Sequence, residues 1–200
     1  MDDDERLCTA LADNLDATFE AVVLAHQDRL YTIALRVLGD PADAEEATQD
    51  ALVRAYKALT TYDRTRIVEL RLRGWLTTIV LNRCRTMLGR RSTKPHAGSV
   101  SLDARIDEGL QFAAPSDGAP AGIVERRDAS AVWADRLLKL PPAYRTAIVV
   151  RHVDGLSYPE AAEALGRPEG TVKAQVHRGI AMLRSMLEAE ASAHHQEMTA

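Results

Sequence analysis

Cationic and amide side chains are concentrated on one predicted helix near the end of the chain. Its apolar residues recur at spacings of four, four, three and four, which predicts a single buried stripe made of Val172, Val176, Ile180, Leu183 and Leu187. The other faces of this helix carry the polar set Thr171, Lys173, Gln175, His177 and Arg178. A helix with a buried back and a cationic, amide-bearing front is the form that enters a DNA major groove. The pattern therefore makes these five polar residues candidates for contacts with duplex DNA.

A short helix and a tight turn are predicted immediately before this helix. Ser157 and Glu160 have the spacing of a capping box, which marks the start of a helix. Gly166 stands where a left-handed residue ends a helix, and Pro168 suits the first turn of the next one. Together these residues predict a helix-turn-helix. An antiparallel hairpin in an ordinary helical bundle would give the same signals, so the spacing alone leaves both interpretations open.

Catalytic and metal-binding chemistry is not indicated by the sequence. There is no recognisable nucleophile–base arrangement, phosphate-binding loop or pair of carboxylates placed for acid–base work. Cys8 and Cys84 have no metal-ligand spacing and are expected to be reduced, incidental thiols. His194 and His195 are expected to be solvated. We therefore expect a protein that is not an enzyme and that needs no metal and no cofactor.

Composition favours packed helices. The 200 residues allow one ordinary domain or two small ones, and 46% of them are apolar while 4% are aromatic, which favours aliphatic helix packing. The fold class is therefore predicted to be all-α. No apolar run approaches the roughly 18 residues of a membrane span, so no membrane insertion is expected. The acidic start is the opposite of a secretory leader and predicts a cytoplasmic protein.

Charge alternates along the chain, although the net charge is only −4. Residues 1–20 hold seven acids and one base, whereas residues 64–94 hold nine bases and one acid. Residues 101–135 hold seven acids and three bases, and residues 139–184 hold seven bases and four acids. Two basic segments separated by an acidic one indicate two nucleic-acid contact surfaces joined by a connector. Solvated helix faces would explain any one segment, but they explain the alternation less well.

Two long helices are predicted in the first half of the chain. The acidic start is expected to be frayed. Asn14 or Asp16 can cap the first long helix, which Gly39 ends. The pair Asp40–Pro41 then supplies an N-cap and a first-turn proline, and acidic residues at the positive end of the helix dipole strengthen this start.

Further along, Tyr62–Arg73 is predicted to be a long cationic loop, followed by a helix over Trp75–Arg91. Residues 92–122 are rich in Ser, Gly, Pro and Asp and are predicted to form a flexible linker. Helix is expected to return from Ile123. The architecture predicted from these elements is two small helical domains joined by a linker, with the helix-turn-helix in the second domain.

Two blocks of this sequence resemble bacterial sigma factors of the sigma-70 superfamily, and the extracytoplasmic-function (ECF) type is the most similar. GLSYPEAAEALGRPEGTVKAQVHR, together with Leu140-Pro141 before it, resembles the fourth conserved region of these proteins. FEAVVLAHQDRLYTIALRVLGDPADAEEATQDALVRAYKAL resembles the start of the second region, and WLTTIVLNRCRTMLGRR resembles the helix that melts promoter DNA. The resemblance covers about residues 19–91 and 133–187.

The resemblance implies a role for each segment. Residues 14–91 would be a region 2-like domain that docks on core RNA polymerase and recognises and melts the −10 element. Residues 92–122 would be the linker, and residues 123–190 a region 4-like helix-turn-helix domain that recognises the −35 element. The implied partners are core RNA polymerase, promoter DNA and, as is common in the family, an anti-sigma factor.

The family motifs also imply site residues. The polymerase-binding positions are Glu46, Gln49 and Asp50. The −10 and melting positions are Trp75, Asn82, Arg83, Arg85, Arg90 and Arg91. The −35 positions are Thr171, Lys173, Gln175, His177 and Arg178. The sequence departs from the family pattern at Ala47, at Thr86 and in the longer, more cationic loop over Tyr62–Arg73.

An alternative function is a transcriptional regulator with a LuxR-like helix-turn-helix, a motif that shares the Thr-Val-Lys sequence. Such a regulator binds duplex DNA without docking on the polymerase. The segment Asp40–Leu59, which resembles the docking helix, argues against it. A second alternative is a regulatory protein that keeps the helical scaffold without promoter activity.

Overall fold

The computed structural model describes residues 3–92 and 132–198, and every regular element in these two ranges is a helix. The all-α prediction is therefore confirmed for the described residues. The predicted linker at residues 92–122 lies outside them, apart from Ser92, which ends a helix. Side chains are described for residues 3–90 and 132–192.

The first half of the structure contains five helices: α1 (Asp3–Asp13), α2 (Leu15–Leu38), α3 (Pro41–Leu59), α4 (Arg64–Val68) and α5 (Leu72–Ser92). The second half contains four: α6, described over residues 132–139, α7 (Pro142–Ile148), α8 (Tyr158–Leu165) and α9 (Glu169–Met198). α7 continues as a π-helical turn over Val149–Val153.

Local hydrogen bonds set the helix boundaries that the sequence predicts. Asn14 Oδ1 accepts from the Ala17 amide at 3.1 Å and caps α2, whereas Asp16 accepts from the Tyr56 hydroxyl. Gly39 ends α2 with a φ of +78°, a conformation that glycine adopts without a steric penalty. Asp40 Oδ1 accepts from the Asp43 amide at 2.9 Å at the start of α3. These boundaries confirm the capping predictions.

The prediction of a frayed start is wrong. Residues 3–13 form α1, whose Cys8 and Leu11 are each only 1% exposed. The Cys8 thiol donates to the Leu70 carbonyl, and the Thr18 hydroxyl donates to the Ala10 carbonyl. Asp3 and Glu5 are exposed, so the charge run that suggested fraying coexists with an apolar face that packs against the rest of the first half.

Two further boundaries differ from the predictions. The cationic segment Tyr62–Arg73 is not entirely a loop, because Asp63 caps the short helix α4 by accepting from the Arg66 amide at 2.8 Å. α5 begins at Leu72, three residues before the predicted start. Leu72 is buried, and its packing extends the helix towards α4.

The core of the first half lies between α2, α3 and α5. α2 and α5 contribute large aliphatic side chains, among them Leu30, Ile33, Val37, Leu76 and Val80, each no more than 1% exposed. The buried face of α3 is made mainly of small residues: Ala44, Ala47, Thr48, Ala51 and Ala55. Small side chains allow helix axes to approach closely, so α3 lies tightly on its neighbours and keeps its polar face outward.

A buried histidine couples α1 to α2. His26 is 5% exposed, and its Nε2 lies 3.2 Å from Asp4 Oδ1. Burial lowers the pKa of His26 below its ordinary value, and the Asp4 carboxylate opposes this effect. In the second half, burial and the neighbouring Arg151 lower the pKa of His152 in the same direction.

These two histidines predict that stability falls in mild acid. A folded-state pKa below the unfolded value of about 6.5 means that the unfolded chain binds protons first as the pH decreases. The free energy of unfolding should therefore be highest above about pH 6.5 and decrease through the folded-state pKa values. Denaturant unfolding between pH 7.5 and 5 will measure this slope. We expect it to be smaller in His26→Gln, and an unchanged slope in the His26→Gln/His152→Gln variant would contradict the assignment.

A π-helical turn follows α7 and leads the chain towards the helix pair α8 and α9. The Asp154 amide donates to the Val149 carbonyl at 2.8 Å, and the Leu156 amide donates to the Val150 carbonyl at 3.2 Å. Gly155 adopts a φ of +78° and redirects the chain into α8. At the other end of the pair, a Cβ on Gly179 would lie 2.6 Å from Ile148 Cδ1 and 3.2 Å from Tyr144 Cβ, so a side chain here would require Ile148 to repack or α7 and α9 to move apart.

The two halves pack against each other in this structure. α8 lies on α5, and buried residues of both halves form one continuous apolar cluster that includes Leu81, Cys84, Leu156, Ala161 and Leu165. A Cβ on Gly39 would lie 2.5 Å from Leu138 Cδ2, which shows how closely α6 approaches the end of α2. We call this the closed arrangement.

Candidate functional site

The helix-turn-helix is built as its sequence predicts. Ser157 and Glu160 form a reciprocal capping box at the start of α8, and the Ser157 amide donates to Glu160 Oε2 at 2.8 Å. Hydrogen bonds from Ser157 lower the pKa of the Glu160 carboxyl. Gly166 ends α8 with a φ of +62°, and Pro168 lies immediately before α9. The turn between α8 and α9 is therefore fixed by local contacts.

The orientation of α9 is set by its apolar stripe. Val172 and Val176 are fully buried and Leu183 is 2% exposed, while Ile180 and Leu187 are half-buried. Among the candidate −35 residues, Thr171 and Lys173 are exposed, and Gln175, His177 and Arg178 are half-buried. Since the stripe occupies the back of α9, the five candidates lie on its remaining faces, as predicted.

Arg167 adjoins this surface and was not among the site residues predicted from the sequence. Its Nη1 donates to Gln175 Oε1 at 2.9 Å and so orders the Gln175 amide with its oxygen towards the turn. Lys173 Nζ lies 5.8 Å from the centre of the Tyr158 ring, which also faces the Arg151 guanidinium at 5.1 Å. The sequence signal for Arg167 was its position: it is a cationic residue directly after the Gly166 cap, in the turn before α9, and could therefore have been predicted to lie beside the recognition set.

The candidate docking residues lie on the outer side of α3. Glu46 and Gln49 are exposed and Asp50 is half-buried. Asp50 Oδ2 lies 2.6 Å from Arg54 Nε, and Gln49 Nε2 donates to Glu45 Oε1 at 3.1 Å. The structure thus brings the three together on one polar face of α3, where the Asp50 carboxylate already pairs with Arg54.

Arg83 joins this face to α5. Its Nη2 lies 2.5 Å from Glu46 Oε1, its Nε lies 3.3 Å from Asp50 Oδ2, and its side chain is only 12% exposed. The family resemblance implies a −10 role for Arg83. In this structure the guanidinium is instead held between two candidate docking carboxylates, a position from which it sets the geometry of both.

The other candidate −10 residues are spread along α5. Asn82 and Arg85 are exposed, and Arg85 Nη1 donates to Asn82 Oδ1 at 2.8 Å. Arg85 Nη2 also lies 3.4 Å from the Leu165 carbonyl of α8. Arg90 is exposed near the end of the helix, whereas the Arg91 side chain lies outside the described part of the structure.

Trp75 takes part in an aromatic stack that was not predicted from the sequence. It is half-buried, and its ring centre lies 6.0 Å from that of Tyr62 at an angle of 56°. The Arg66 guanidinium lies 3.6 Å from the centre of the Tyr62 ring. Tyr62 and Arg66 belong to the segment that the sequence analysis treated as a loop, and α4 is the element that brings them to Trp75.

A cleft of about 1110 Å³ lies beside this stack. The first half lines it with both signs of charge, from Arg66, Arg71 and Arg73 and from Asp4, Glu5, Asp63 and Glu69, and α8 adds Glu160 and Glu163. Arg71 Nη1 lies 3.9 Å from Glu163 Oε2 across it, and both side chains are exposed. Within the described ranges, no group of His, Cys, Asp and Glu residues could hold a metal ion.

Comparison with known proteins identifies the family. The family model described as Sigma-70 region 2 matches residues 22–93, and that described as Sigma-70, region 4 matches residues 132–183. The chain is 35% identical over 174 residues to the ECF RNA polymerase sigma factor SigW of Bacillus subtilis, a match that covers 84% of this chain and 88% of SigW.

Solved structures share the fold. CnrH in complex with the cytosolic domain of CnrY is similar with a TM-score of 0.66 and 26% identity, over 94% of this chain and 99% of that one. The sigma factor RpoE in complex with the anti-sigma factor NepR from Bartonella quintana is similar in fold with a TM-score of 0.60 and 22% identity. That match covers 85% of this chain and 96% of RpoE.

Two sigma-70 regions in this order define a promoter-specificity factor of RNA polymerase. The chain belongs to the ECF RNA polymerase sigma factors. It acts with core RNA polymerase on promoter DNA in transcription initiation. The alternative of a LuxR-like regulator is not supported, because the first half matches sigma-70 region 2. No helix in the described residues is long and apolar enough to cross a membrane.

Proposed function

We propose that the two halves divide promoter recognition as their site residues suggest. Residues 14–91 dock on core polymerase and recognise and melt the −10 element, residues 123–190 recognise the −35 element, and residues 92–122 connect them. The observation that carries this proposal is the placement of α9, whose buried stripe leaves Lys173 and Thr171 exposed on a cationic front. Because core polymerase acts in the cytoplasm, we place the protein there.

Reconstituted transcription is the direct test. Purified protein and core polymerase should together produce specific transcripts from a subset of a promoter panel, whereas neither should do so alone. A permuted −35 or −10 sequence in a responsive promoter provides the matched control. Specific initiation without the added protein, or none with it on any promoter of a genome-derived panel, would contradict the proposed function.

At the −35 element, the roles within the recognition set follow from side-chain chemistry. Arg178 has a planar fork that can pair with guanine O6 and N7, and Gln175 carries an amide that can pair with adenine. Lys173 is a point charge suited to a phosphate. Thr171 at the start of α9 is placed for a phosphate as well, and His177 lies beside Arg178 on the same helix.

At the −10 element, α5 supplies the cations and the stack supplies an aromatic surface. An unstacked base can be captured on an aromatic ring and a guanidinium plane. Trp75, Tyr62 and Arg66 provide both in one place. Asn82 and the α5 arginines would then hold the displaced strand, mainly through its phosphates.

Substituting the α5 arginines tests this assignment. We expect Arg85→Ala/Arg90→Ala/Arg91→Ala to reduce promoter opening by at least about tenfold while polymerase binding is retained, since several phosphate contacts are lost. Permanganate reactivity of thymines in the −10 region reports opening. Arg83 is left unchanged because it contacts Glu46 and Asp50. Normal opening by this variant would remove α5 from the −10 surface.

An anti-sigma factor is the further partner that we propose. RpoE was solved with such a protein, and this chain shares its fold. The cleft between the first half and α8, which is lined by both acids and arginines, gives a protein inhibitor a surface that spans both halves. Co-purification from the native host, with the Glu160→Ala/Glu163→Ala variant as a comparison, would show whether an inhibitor uses this cleft.

A further inference from the structure

The turn of the helix-turn-helix contains an arginine whose backbone is firmly held. Arg167 follows Gly166, and its amide donates to the Ala162 carbonyl at 3.0 Å. The Gly166 amide donates to the Glu163 carbonyl at 3.1 Å. These two hydrogen bonds form a Schellman motif, which fixes the main chain at the end of α8. The half-buried Arg167 side chain therefore extends from a defined point beside α9.

The Arg167 side chain contacts Gln175, eight positions further along. Its Nη1 donates to Gln175 Oε1 at 2.9 Å. A guanidinium donates hydrogen bonds and accepts none, so the oxygen of the amide, and not its nitrogen, must face Arg167. The main chain at Gln175 is fixed as well, because Val172 and Val176 of the apolar stripe are fully buried. The contact therefore determines which end of the amide points towards the turn.

The direction of a glutamine amide decides what it can recognise. Its oxygen accepts hydrogen bonds and its NH2 group donates them, yet the two ends are almost equal in size. Rotation about the last side-chain bond exchanges them, and this torsion has a broad, roughly two-fold profile. Next to Arg167, the reversed amide would point donors at donors and lose a charge-assisted hydrogen bond. Arg167 thus selects one of the two directions for Gln175.

The selected direction is complementary to adenine. In the major groove adenine presents a donor at N6 and an acceptor at N7, whereas guanine presents acceptors at both O6 and N7. The Gln175 oxygen has two lone pairs and Arg167 uses one, so the oxygen can still accept from N6 while the NH2 group donates to N7. Opposite guanine, the held oxygen would face the O6 acceptor. A freely rotating amide would avoid this repulsion by turning its NH2 group towards O6.

We propose that Arg167 is a positioning residue that determines base specificity at the −35 element. It holds the Gln175 amide in the direction that favours adenine over guanine, and it acts on DNA through that amide. This role rests on the proposed function of α9 as the −35 recognition helix. It extends the recognition set to a residue of the preceding turn. Lys173, in contrast, is exposed and is suited to a phosphate.

A double-mutant cycle in holoenzyme made with the full-length protein tests this role. The probe is a promoter found by reconstituted transcription, with each −35 position changed to all four bases. Gln175→Ala first identifies the position that Gln175 contacts, where the preference for adenine should be lost. Arg167→Met keeps a long side chain and removes its donors. It should reduce the preference for adenine over guanine at that position by about threefold to tenfold, in the range of couplings between contacting residues.

The second arm of the cycle separates an indirect effect from direct contacts. In the Gln175→Ala background, Arg167→Met should leave base preference unchanged. An equal change of preference in both backgrounds would mean that Arg167 contacts the base itself, and the positioning role would be overturned. Weakening of all sequences alike, with unchanged preference and a salt slope lower by about one, would show a phosphate contact and overturn it too.

Two further variants exclude effects of side-chain volume and net charge. Arg167→Lys should retain more of the adenine preference than Arg167→Met, because an ammonium also donates to an oxygen. Equal loss in both would indicate a packing role and contradict the proposal. Arg184→Met removes the same charge from a distant part of α9 and should leave the preference unchanged. An equal loss there would attribute the effect to net charge. Since the turn is held by main-chain hydrogen bonds, all these variants should fold, which circular dichroism checks.

The same data distinguish failure of this role from failure of the proposed function. If α9 does not recognise the −35 element, Gln175→Ala will alter no −35 preference, and both proposals are wrong. If Gln175→Ala alters the preference at one position and Arg167→Met does not, α9 remains the recognition helix and only the role of Arg167 is wrong.

Discussion

Reversing the two α3 carboxylates should strongly weaken polymerase binding. We expect Glu46→Arg/Asp50→Arg to lose about 2–5 kcal/mol of binding free energy to core polymerase, the range for disrupting desolvated interfacial charges. This corresponds to roughly 30-fold to several-thousand-fold in Kd. The physical reason is that the outer face of α3 presents carboxylate oxygens to a cationic partner, and reversal replaces attraction by repulsion. Fluorescence titration of labelled protein with core enzyme measures the change.

The contact with Arg83 requires a specific control. Reversal leaves Arg83, which is only 12% exposed, facing two new cations, and this could disturb the packing of α3 on α5. The triple variant with Arg83→Glu restores complementary charge inside the protein but keeps the outer face reversed. Binding recovered by the triple variant would show that the carboxylates act structurally. Asp28→Arg, an exposed reversal on α2, should bind normally.

Base recognition and phosphate contact should depend on different residues of α9. Arg178→Ala should cost about 1–3 kcal/mol on promoters with the preferred −35 base and should relax the preference at that one position, because a bidentate contact is lost. Lys173→Ala should weaken all promoters alike and lower the salt slope of binding by about one, because one counterion fewer is released. A library of −35 variants assayed with holoenzyme at several salt concentrations distinguishes the two patterns.

Arg184→Ala is the matched control for this pair, since Arg184 lies on the same helix beyond the recognition set. It should leave both the preference and the salt slope unchanged. If Arg178→Ala weakens every sequence equally, Arg178 is a phosphate contact and the base-recognition assignment is wrong.

Sequence alone determined the features that depend on near neighbours. The capping box of Ser157 and Glu160, the Asn14 and Asp40 caps and the left-handed glycines involve groups within a few residues of one another. The apolar stripe of α9 is likewise a local periodicity, so the orientation of the candidate −35 face could be derived before any packing was known. Two motif blocks in the right order were sufficient for the family.

The prediction of a frayed start failed because helix α1 depends on contacts with distant residues. Its acidic residues dominate the composition of the segment, while its docking depends on Cys8 and Leu11 meeting α2 and α4, which a local pattern does not reveal. The same holds for α4. Arg66 in α4 and Tyr62 just before it acquire meaning only because α5 places Trp75 beside the Tyr62 ring.

Only the tertiary structure determined which charged side chains form ion pairs within the protein. Arg83 looked like a DNA contact on its own helix, but its partners Glu46 and Asp50 lie on α3, and the hydrogen bond to Glu46 spans 37 positions. Arg29 and Asp154 are separated by 125 positions, and neither stood out from other charged residues in the sequence. A charged side chain carries no local mark of its partner, because an ion pair needs proximity in space and imposes no periodicity along the chain. The folding of distant helices against each other therefore determined which of these residues remain available to DNA and polymerase.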